Sequence, residues 1–397
     1  AQGWLKPFFA KFEPLHWVLS FPPPRMPEDT AKFHQRASVI FGRPSFKTAR
    51  GADKKKASKK VSCFDACFGM FLGYPGASGG GSEVNYGEPK PLASLPPYSK
   101  WEQLTEEMRG SVKVEVCSLP KDNVPGWHNQ DSTMVCCPVG EDDGSGRAPL
   151  LFGVFDGHGR FGHDVSGLVA ERLPGHLAAQ TNVMKDPEKA LIRAIKAVDD
   201  DVFSHLAQDV EYSGTTGVVA LYDQSSRTLH IANVGDSRAV LGQMSPDARD
   251  PQWDGKALTQ DCKPDLEEEQ ERIELSGGLV GALLEDGEPV GPARVWEDAS
   301  RRKPGLAVSR TIGDGCARQL GVVPEPVITK HQLGSGDQFM LIATDGLWDS
   351  LGNTEAVRIA SKFIRLPHVA LKALMEAVRR KEGDELVDDT TAVLVVF

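Results

Sequence analysis

An apolar run that ends in a charged turn constrains this chain more than any other feature. Leu150, Leu151, Phe152, Gly153, Val154 and Phe155 lead directly into Asp156, Gly157, His158 and Gly159. The run reads as a buried strand. At its end stand a carboxylate and a histidine, with glycines that leave room around them. Hard divalent cations prefer oxygen ligands, and a histidine beside such a site can move protons near neutral pH. Taken alone, an Asp-Gly step after a strand is ordinary turn chemistry.

The pattern returns. Phe339, Met340, Leu341, Ile342, Ala343 and Thr344 deliver Asp345, Gly346, Leu347, Trp348 and Asp349. Asp388 and Asp389 precede Thr390 to Phe397, whose β-branched content argues a buried strand. His230 to Val234 leads into Gly235, Asp236, Ser237 and Arg238, where a hairpin is the strong local reading. Acids at four strand ends, at unrelated spacings, predict convergence on one place. Crowded carboxylates repel one another unless a cation neutralises them. The ligand type points to Mg²⁺ or Mn²⁺ rather than zinc.

These motifs, in order, resemble those of the metal-dependent protein phosphatases of type 2C, with wording nearest the plant and protist members. The series runs through Asn129-Gln130-Asp131, Phe152 to Gly159, Ser213 to Gly217 and Asn233 to Arg238. It continues through Leu258 to Asp265, Val308 to Asp314, Ala343 to Asp349 and Asp388 to Thr391, covering roughly 108 to 397. The resemblance implies an α+β fold: a four-layer α-β-β-α sandwich of two antiparallel sheets flanked by helices. It also implies hydrolysis of phosphoserine and phosphothreonine in proteins by a metal-activated water, with two Mg²⁺ or Mn²⁺ ions and a weaker third. Asp156 is then the bridging ligand and the Gly157 carbonyl serves the second metal. Asp345 and Asp388 complete the first metal's shell, with Asp388 favoured over Asp389 by register. Asp131 acts at the second metal, and Asp236 and Asp349 match the third. His158 is the general acid, while Asp314 matches an acid near the site with no role assigned. A variable flap corresponds to about 266 to 305, where Arg301-Arg302-Lys303 reads first as a solvated basic run.

Two departures stand out. Gln130 occupies a position where an acid is common, and Gly126 one where a phosphate-gripping base is common. Arg160 is the preferred phosphate-binding replacement, with Lys121 and His128 as the others. The competing functional readings are a catalytically weakened pseudophosphatase acting as a binding or scaffold protein, and a hydrolase of small phosphate esters. Retention of Asp156, Asp345 and Asp388 argues against the first.

Charge divides the chain. Residues 1–60 carry a balance of +9 within a total of −10, leaving −19 for the remainder. An acidic domain excludes general nucleic-acid binding. Residues 1–107 read as a basic, partly low-complexity extension, with Pro22-Pro23-Pro24, the cluster around Lys54 to Lys60, and Gly79-Gly80-Gly81. Its basic and apolar stretch over 47–72, with Cys63 and Cys67, has the composition of a peripheral membrane contact. A strip docked on the catalytic domain is the preferred reading of the same stretch.

Seven cysteines at 63, 67, 117, 136, 137, 262 and 316 show no paired spacing, which favours a reducing compartment, cytoplasmic or nuclear. No run reaches membrane-span length. The first residue is Ala1, so N-terminal signals are not read from it. Phosphorylated proteins are the expected substrates and a monomer the expected state. Helices are expected over His163 to Ala179, from Asp186-Pro187-Glu188 onward, and from Asp265 (a capping box) to Gly277-Gly278. Two more follow near 354–364 and 367–382, the latter stopped by Gly383. Strands separate the helices without strict βαβ alternation, which suits α+β.

Overall fold

The uninterrupted apolar runs are strands covered on both faces. The structure, a computed structural model, describes residues 88–137, 148–245 and 252–397. Expectations for residues 1–87, including Cys63, Cys67 and the membrane contact through 47–72, lie outside the described residues. One sheet orders Ser99–Lys100, Ser132–Cys137, Leu150–Phe155, Gly217–Asp223, Thr228–Val234 and Val327–Gln332, every pair antiparallel. The second orders Trp253–Ala257, Arg238–Met244, Asp337–Ala343, Thr390–Val396 and Lys113–Leu119, again antiparallel.

Period-two alternation splits each run between two cores. Leu150, Phe152 and Val154 join Met340, Ile342, Val393 and Val395 between the sheets. Leu151 and Phe155 face the other way, against Val165, Val169, Leu173, Leu191 and Ile195. Those residues lie on helices Gly162–Ala178 and Pro187–Leu206. Phe339, Leu341 and Leu394 pack on Val357, Leu371 and Leu374 of helices Asn353–Ser361 and Pro367–Lys381. Three cores between four layers give the α-β-β-α sandwich that the sequence led us to expect. Each buried Leu or Phe contributes about 1.5–3 kcal/mol relative to exposure, so the sandwich is a firm base for its rim.

Helix starts agree in part. Asp186 accepts a hydrogen bond from the Lys189 amide with Pro187 at the first helical position. The capping box at Asp265 does not form. The helix Glu267–Leu275 has Leu266 at its N-cap and no side-chain cap, and three glutamates in its first turn complement the helix dipole instead. Gly235 to Ser237 is not a hairpin. Strand Thr228–Val234 belongs to one sheet and Arg238–Met244 to the other, so this turn carries the chain across the sandwich.

Packing starts ahead of 108. Ser99–Lys100 pairs with Cys136 and Cys137, and the Lys90 amide donates to the Ser204 carbonyl at 2.8 Å. In the flap region, Leu279–Glu285, Glu288–Trp296 and Pro304–Leu306 form a separate three-stranded sheet. A small core of Ile273, Val295, Leu306, Val308, Ala317 and Val322 anchors it. Cysteines 117, 136, 137, 262 and 316 are free thiols. Among the described residues no helix is long and apolar enough to cross a membrane.

Candidate active site

Antiparallel pairing sets the start of one strand beside the end of its neighbour, and this gathers the acids. Ser132 pairs with Phe155, so Asp131, just before the one, lies at the same edge as Asp156, just after the other. Ala343 pairs with both Ala392 and Arg238. The turns bearing Asp345, Asp388 and Asp236 therefore share that end of the second sheet. Asp156, Asp236, Asp345 and Asp388 are each less than a tenth exposed.

Their electrostatics describe one crowded well. Burial raises the Asp156 carboxyl well above its usual range, and the charges of Asp345, Asp131, Asp388 and Asp236 raise it further. Asp388 is raised by burial and Asp345, against the opposing pull of Lys121. Asp345 is raised by burial, Asp236 and Asp349. Burial and then Asp389 raise Asp131. Asp349 is also raised, chiefly by burial.

The residues fit a metal. Gln130 Oε1 and Asp131 Oδ1 are buried without a hydrogen-bond partner among the described residues. A buried well of mutually repelling carboxylates with uncommitted oxygen donors suits hard divalent cations. Among the described residues no group of three or more histidine, cysteine, aspartate or glutamate side chains is placed so that it could hold a metal ion as it stands.

Hydrogen bonding separates Asp388 from Asp389. Asp389 accepts from the Lys121 amide (2.9 Å), the Gln130 amide (2.8 Å) and Trp127 Nε1 (2.9 Å to each oxygen). It ties the loop bearing Gln130 and Asp131 to the start of strand Thr390–Val396. Asp388 accepts one bond, from the Asp389 amide at 2.9 Å, so most of its oxygen lone pairs are uncommitted to the fold.

Gly157 permits a tight crossing behind the well. A Cβ there would meet the carbonyl oxygens of Gln130 and Gly162, each at 2.4 Å. The Gln130 side chain spans the same crossing, donating to the Gly159 carbonyl at 2.7 Å. His158 follows, with Nε2 at 2.6 Å from Asp314 Oδ2. Burial alone would depress the imidazolium, but the Asp314 charge and hydrogen bond, with Asp236 and Asp345 behind them, raise its pKa. Lys263 bonds Asp236 through its Nζ. Arg238 grips Asp261 with two bonds of 2.9 and 2.6 Å, holding the loop that carries this lysine.

A cavity of about 90 Å³ opens on the well. Asp156, His158, Asp236, Asp314 and Asp345 form one side, with Tyr212, Arg294, Leu306, Val308 and Cys316 among the other lining residues. Arg160 is not in this lining. It is exposed and stacks its guanidinium over Phe161 at 5.3 Å. His128 packs edge-on against His163 at 4.7 Å. Lys121 is buried, with Nζ 3.8 Å from the Trp127 ring centroid. Gly126, at positive φ, has open space around it. Arg294 carries no motif in the sequence; it is a buried flap residue whose Nη1 donates to the Gly305 carbonyl at 2.6 Å. No local pattern could have found it, because only the folded flap brings it to the cavity. Of the flap's basic run, Arg301 Nη1 is bound to the Ala282 carbonyl, Lys303 pairs with Glu297 at 2.9 Å, and Arg302 is exposed.

Comparison with known proteins agrees with this geometry. The family model of protein phosphatase 2C matches residues 122–386. The chain is 36% identical over 292 residues to the rice (Oryza sativa subsp. japonica) "Probable protein phosphatase 2C 48", covering 68% of this chain and 80% of that protein. It is 42% identical over 279 residues to rice "Probable protein phosphatase 2C 64", covering 67% and 61%. With "Probable protein phosphatase 2C 34" of Arabidopsis thaliana it shares 36% over 289 residues, covering 68% and 77%. Among solved structures, a serine-threonine phosphatase 2C from Toxoplasma gondii superposes with a TM-score of 0.57 at 24% identity, covering 72% of this chain and 99% of that one, a likeness of fold. The sandwich, the ordered motifs and the acids at one rim occur together because this chain is a member of the protein phosphatase 2C family.

Proposed function

We propose that the acidic well of this metal-dependent serine/threonine protein phosphatase holds two Mg²⁺ or Mn²⁺ ions, and that His158 is its general acid. The observation that carries the reading is the buried convergence of Asp131, Asp156, Asp345 and Asp388, each pushed upward in pKa with no protein cation sufficient to offset them. Asp156 would be the ligand common to both ions, the Gly157 carbonyl and Asp131 would hold the second, and Asp345 and Asp388 would hold the first. Asp236 and Asp349 serve a weaker third, weaker because the Lys263 ammonium already occupies Asp236. When bound, such ions supply Lewis acidity toward the phosphoryl oxygens and toward the attacking water. His158 gives its proton to the departing serine or threonine oxygen. Asp389 and Gln130 hold the chain around Asp131 in place. Part of the segment before 108 belongs with the catalytic unit in this reading, supported by the pairing of Ser99–Lys100 with the first sheet and by the Lys90 amide bonding the Ser204 carbonyl.

Arg294, not Arg160, is the base we assign to the substrate phosphate or its flanking backbone, replacing the one missing at Gly126. Arg294 is among the residues lining the cavity, whereas Arg160 stacks over Phe161 and is not in that lining. Arg294→Ala should raise the phosphopeptide KM about tenfold with kcat within about threefold. An unchanged KM removes this assignment. The function as a whole is tested by release of phosphate from a phosphothreonine peptide by the full chain. Activity with Mn²⁺ that EDTA abolishes is expected. Metal-independent release, or none with intact metal binding, refutes the reading, the second outcome in favour of a scaffold.

A further inference from the structure

Asp314 is an acid of the motif series to which the resemblance assigns no role, and the backbone around it places it against His158. A small three-stranded sheet orders Ile312–Gly313, Gly214–Thr215 and Gly157–His158. In its register His158 pairs with Gly214, and Gly214 with Gly313. Gly214 therefore stands between the histidine and the residue just before Asp314. Its missing side chain is the gap the carboxylate fills: a Cβ on Gly214 would lie 2.1 Å from Asp314 Oδ2.

The aspartate itself is pinned. It adopts a left-handed backbone at φ +52°, and its amide donates to the Ser213 carbonyl at 2.9 Å. Thr311 Oγ1 donates to the same Oδ2 at 2.8 Å. A non-glycine residue in that conformation is costly, of order 1 kcal/mol or more, and persists where surrounding structure fixes it. The strain and the glycine gap serve one contact, that of Oδ2 with His158 Nε2 at 2.6 Å.

We infer that Asp314 is the positioning residue of the general acid: by accepting from Nε2 it fixes the imidazole ring and its tautomer, so that Nδ1 is the nitrogen presented to the substrate. The proton step balances on that arrangement. As the P–O bond breaks, its electron pair stays on the serine or threonine oxygen, and the imidazolium Nδ1–H bond is broken to form the O–H bond. The neutral ring keeps its Nε2–H donated to Asp314. The carboxylate lines the same cavity as His158, and the effect assigned to it here is exerted through the His158 ring. The contact is buried on both sides, with side chains 16% and 5% exposed, so little water competes for it.

This inference rests on His158 being the general acid, and the experiment separates the two. Wild type, His158→Ala, Asp314→Asn and the double variant of the full chain are assayed with Mn²⁺ on two substrates. One is a phosphothreonine peptide, whose alkoxide must be protonated. The other is p-nitrophenyl phosphate, whose phenolate leaves without a proton. Asp314→Asn should lower peptide kcat about 10- to 100-fold, with KM and the aryl phosphate rate within about threefold. The double variant should be no slower than His158→Ala by more than about threefold. Equal losses on both substrates, or no loss on the peptide while His158→Ala discriminates, overturn the role of Asp314. If His158→Ala itself loses both substrates equally, the general-acid assignment fails first and this inference with it.

A second measurement does not depend on an Asp314 variant folding. In ¹⁵N-histidine spectra of the Mg²⁺ enzyme, with His158 assigned by difference against His158→Ala, the neutral ring should carry its proton on Nε2. A wild-type proton on Nδ1 overturns the inference.

Discussion

Asp156 and Glu269 are both buried carboxylates less than a tenth exposed, yet their surroundings drive them in opposite directions. Around Glu269 the protein supplies every counter-charge. Arg272 grips it with two bonds of 2.7 Å, Arg310 reaches Oε1 at 2.7 Å, and Ser309 donates to Oε2. Although burial pushes it upward, these partners lower its pKa to about 2. Around Asp156 the neighbours are other acids, and both burial and charge raise it. A carboxylate that the fold satisfies serves the fold, here by clamping the base of the flap helix to the Ser309–Arg310 segment. One that the fold leaves in a field of like charge carries a cost that a bound cation or a proton relieves.

The sharpest way to break this contrast is to neutralise each acid. Asp156→Asn should lower kcat/KM on a phosphothreonine peptide by about a thousandfold or more, roughly 4 kcal/mol in transition-state terms. Without metal its melting temperature should stay level or rise, because a repelling charge has gone. A metal-free variant melting well below the metal-free wild type would make Asp156 a structural acid like Glu269.

Metal itself gives the next effect. Wild type in Mn²⁺ at about a hundred times its dissociation constant should gain roughly 2.7 kcal/mol over the EDTA-treated protein, read as a rise in melting temperature. Asp388→Asn should lose most of that rise. Asp389→Asn should melt lower with and without metal, since it breaks the bonds to Lys121, Gln130 and Trp127. The reverse pattern would exchange the two assignments.

Glu269→Gln should give the smallest effect and the opposite sign to Asp156→Asn, a destabilisation of about 2 kcal/mol after allowance for water screening. The pH dependence follows from the lowered pKa. A carboxylate at about 2 when folded, against 4.5 otherwise, contributes stability that is fully present above about pH 4.5. That stability is lost as the pH falls from 4.5 toward 2. Urea unfolding of wild type and Glu269→Gln across this window should therefore converge on acidification. Parallel curves would mean that Glu269 is not ionised by its arginines.

Sequence patterns carried the layers because the relevant signals are local. An unbroken run such as Leu150 to Phe155 marks a buried strand, and Asp186-Pro187 marks a helix start whatever the rest of the chain does. Local chemistry also misled. Gly235-Asp236-Ser237 has the composition of a hairpin, but its flanking strands bond to different sheets, which no short window encodes. Asp265 has capping-box spacing, yet the helix begins past it. Arg294 could not be picked out, because a variable flap offers no pattern to mark which of its bases faces inward.

By itself, the sequence determined that acids would stand at the ends of buried strands, and which family's order they follow. Both are properties of contiguous residues. Tertiary structure alone decided what each acid bonds to. Asp388 is left open while its neighbour Asp389 is consumed by the fold, and Asp314 crosses a glycine gap to His158. Charge is written in the residue, but whether a counter-charge answers it depends on side chains far away in the chain. Those distant side chains meet only after the sandwich has formed.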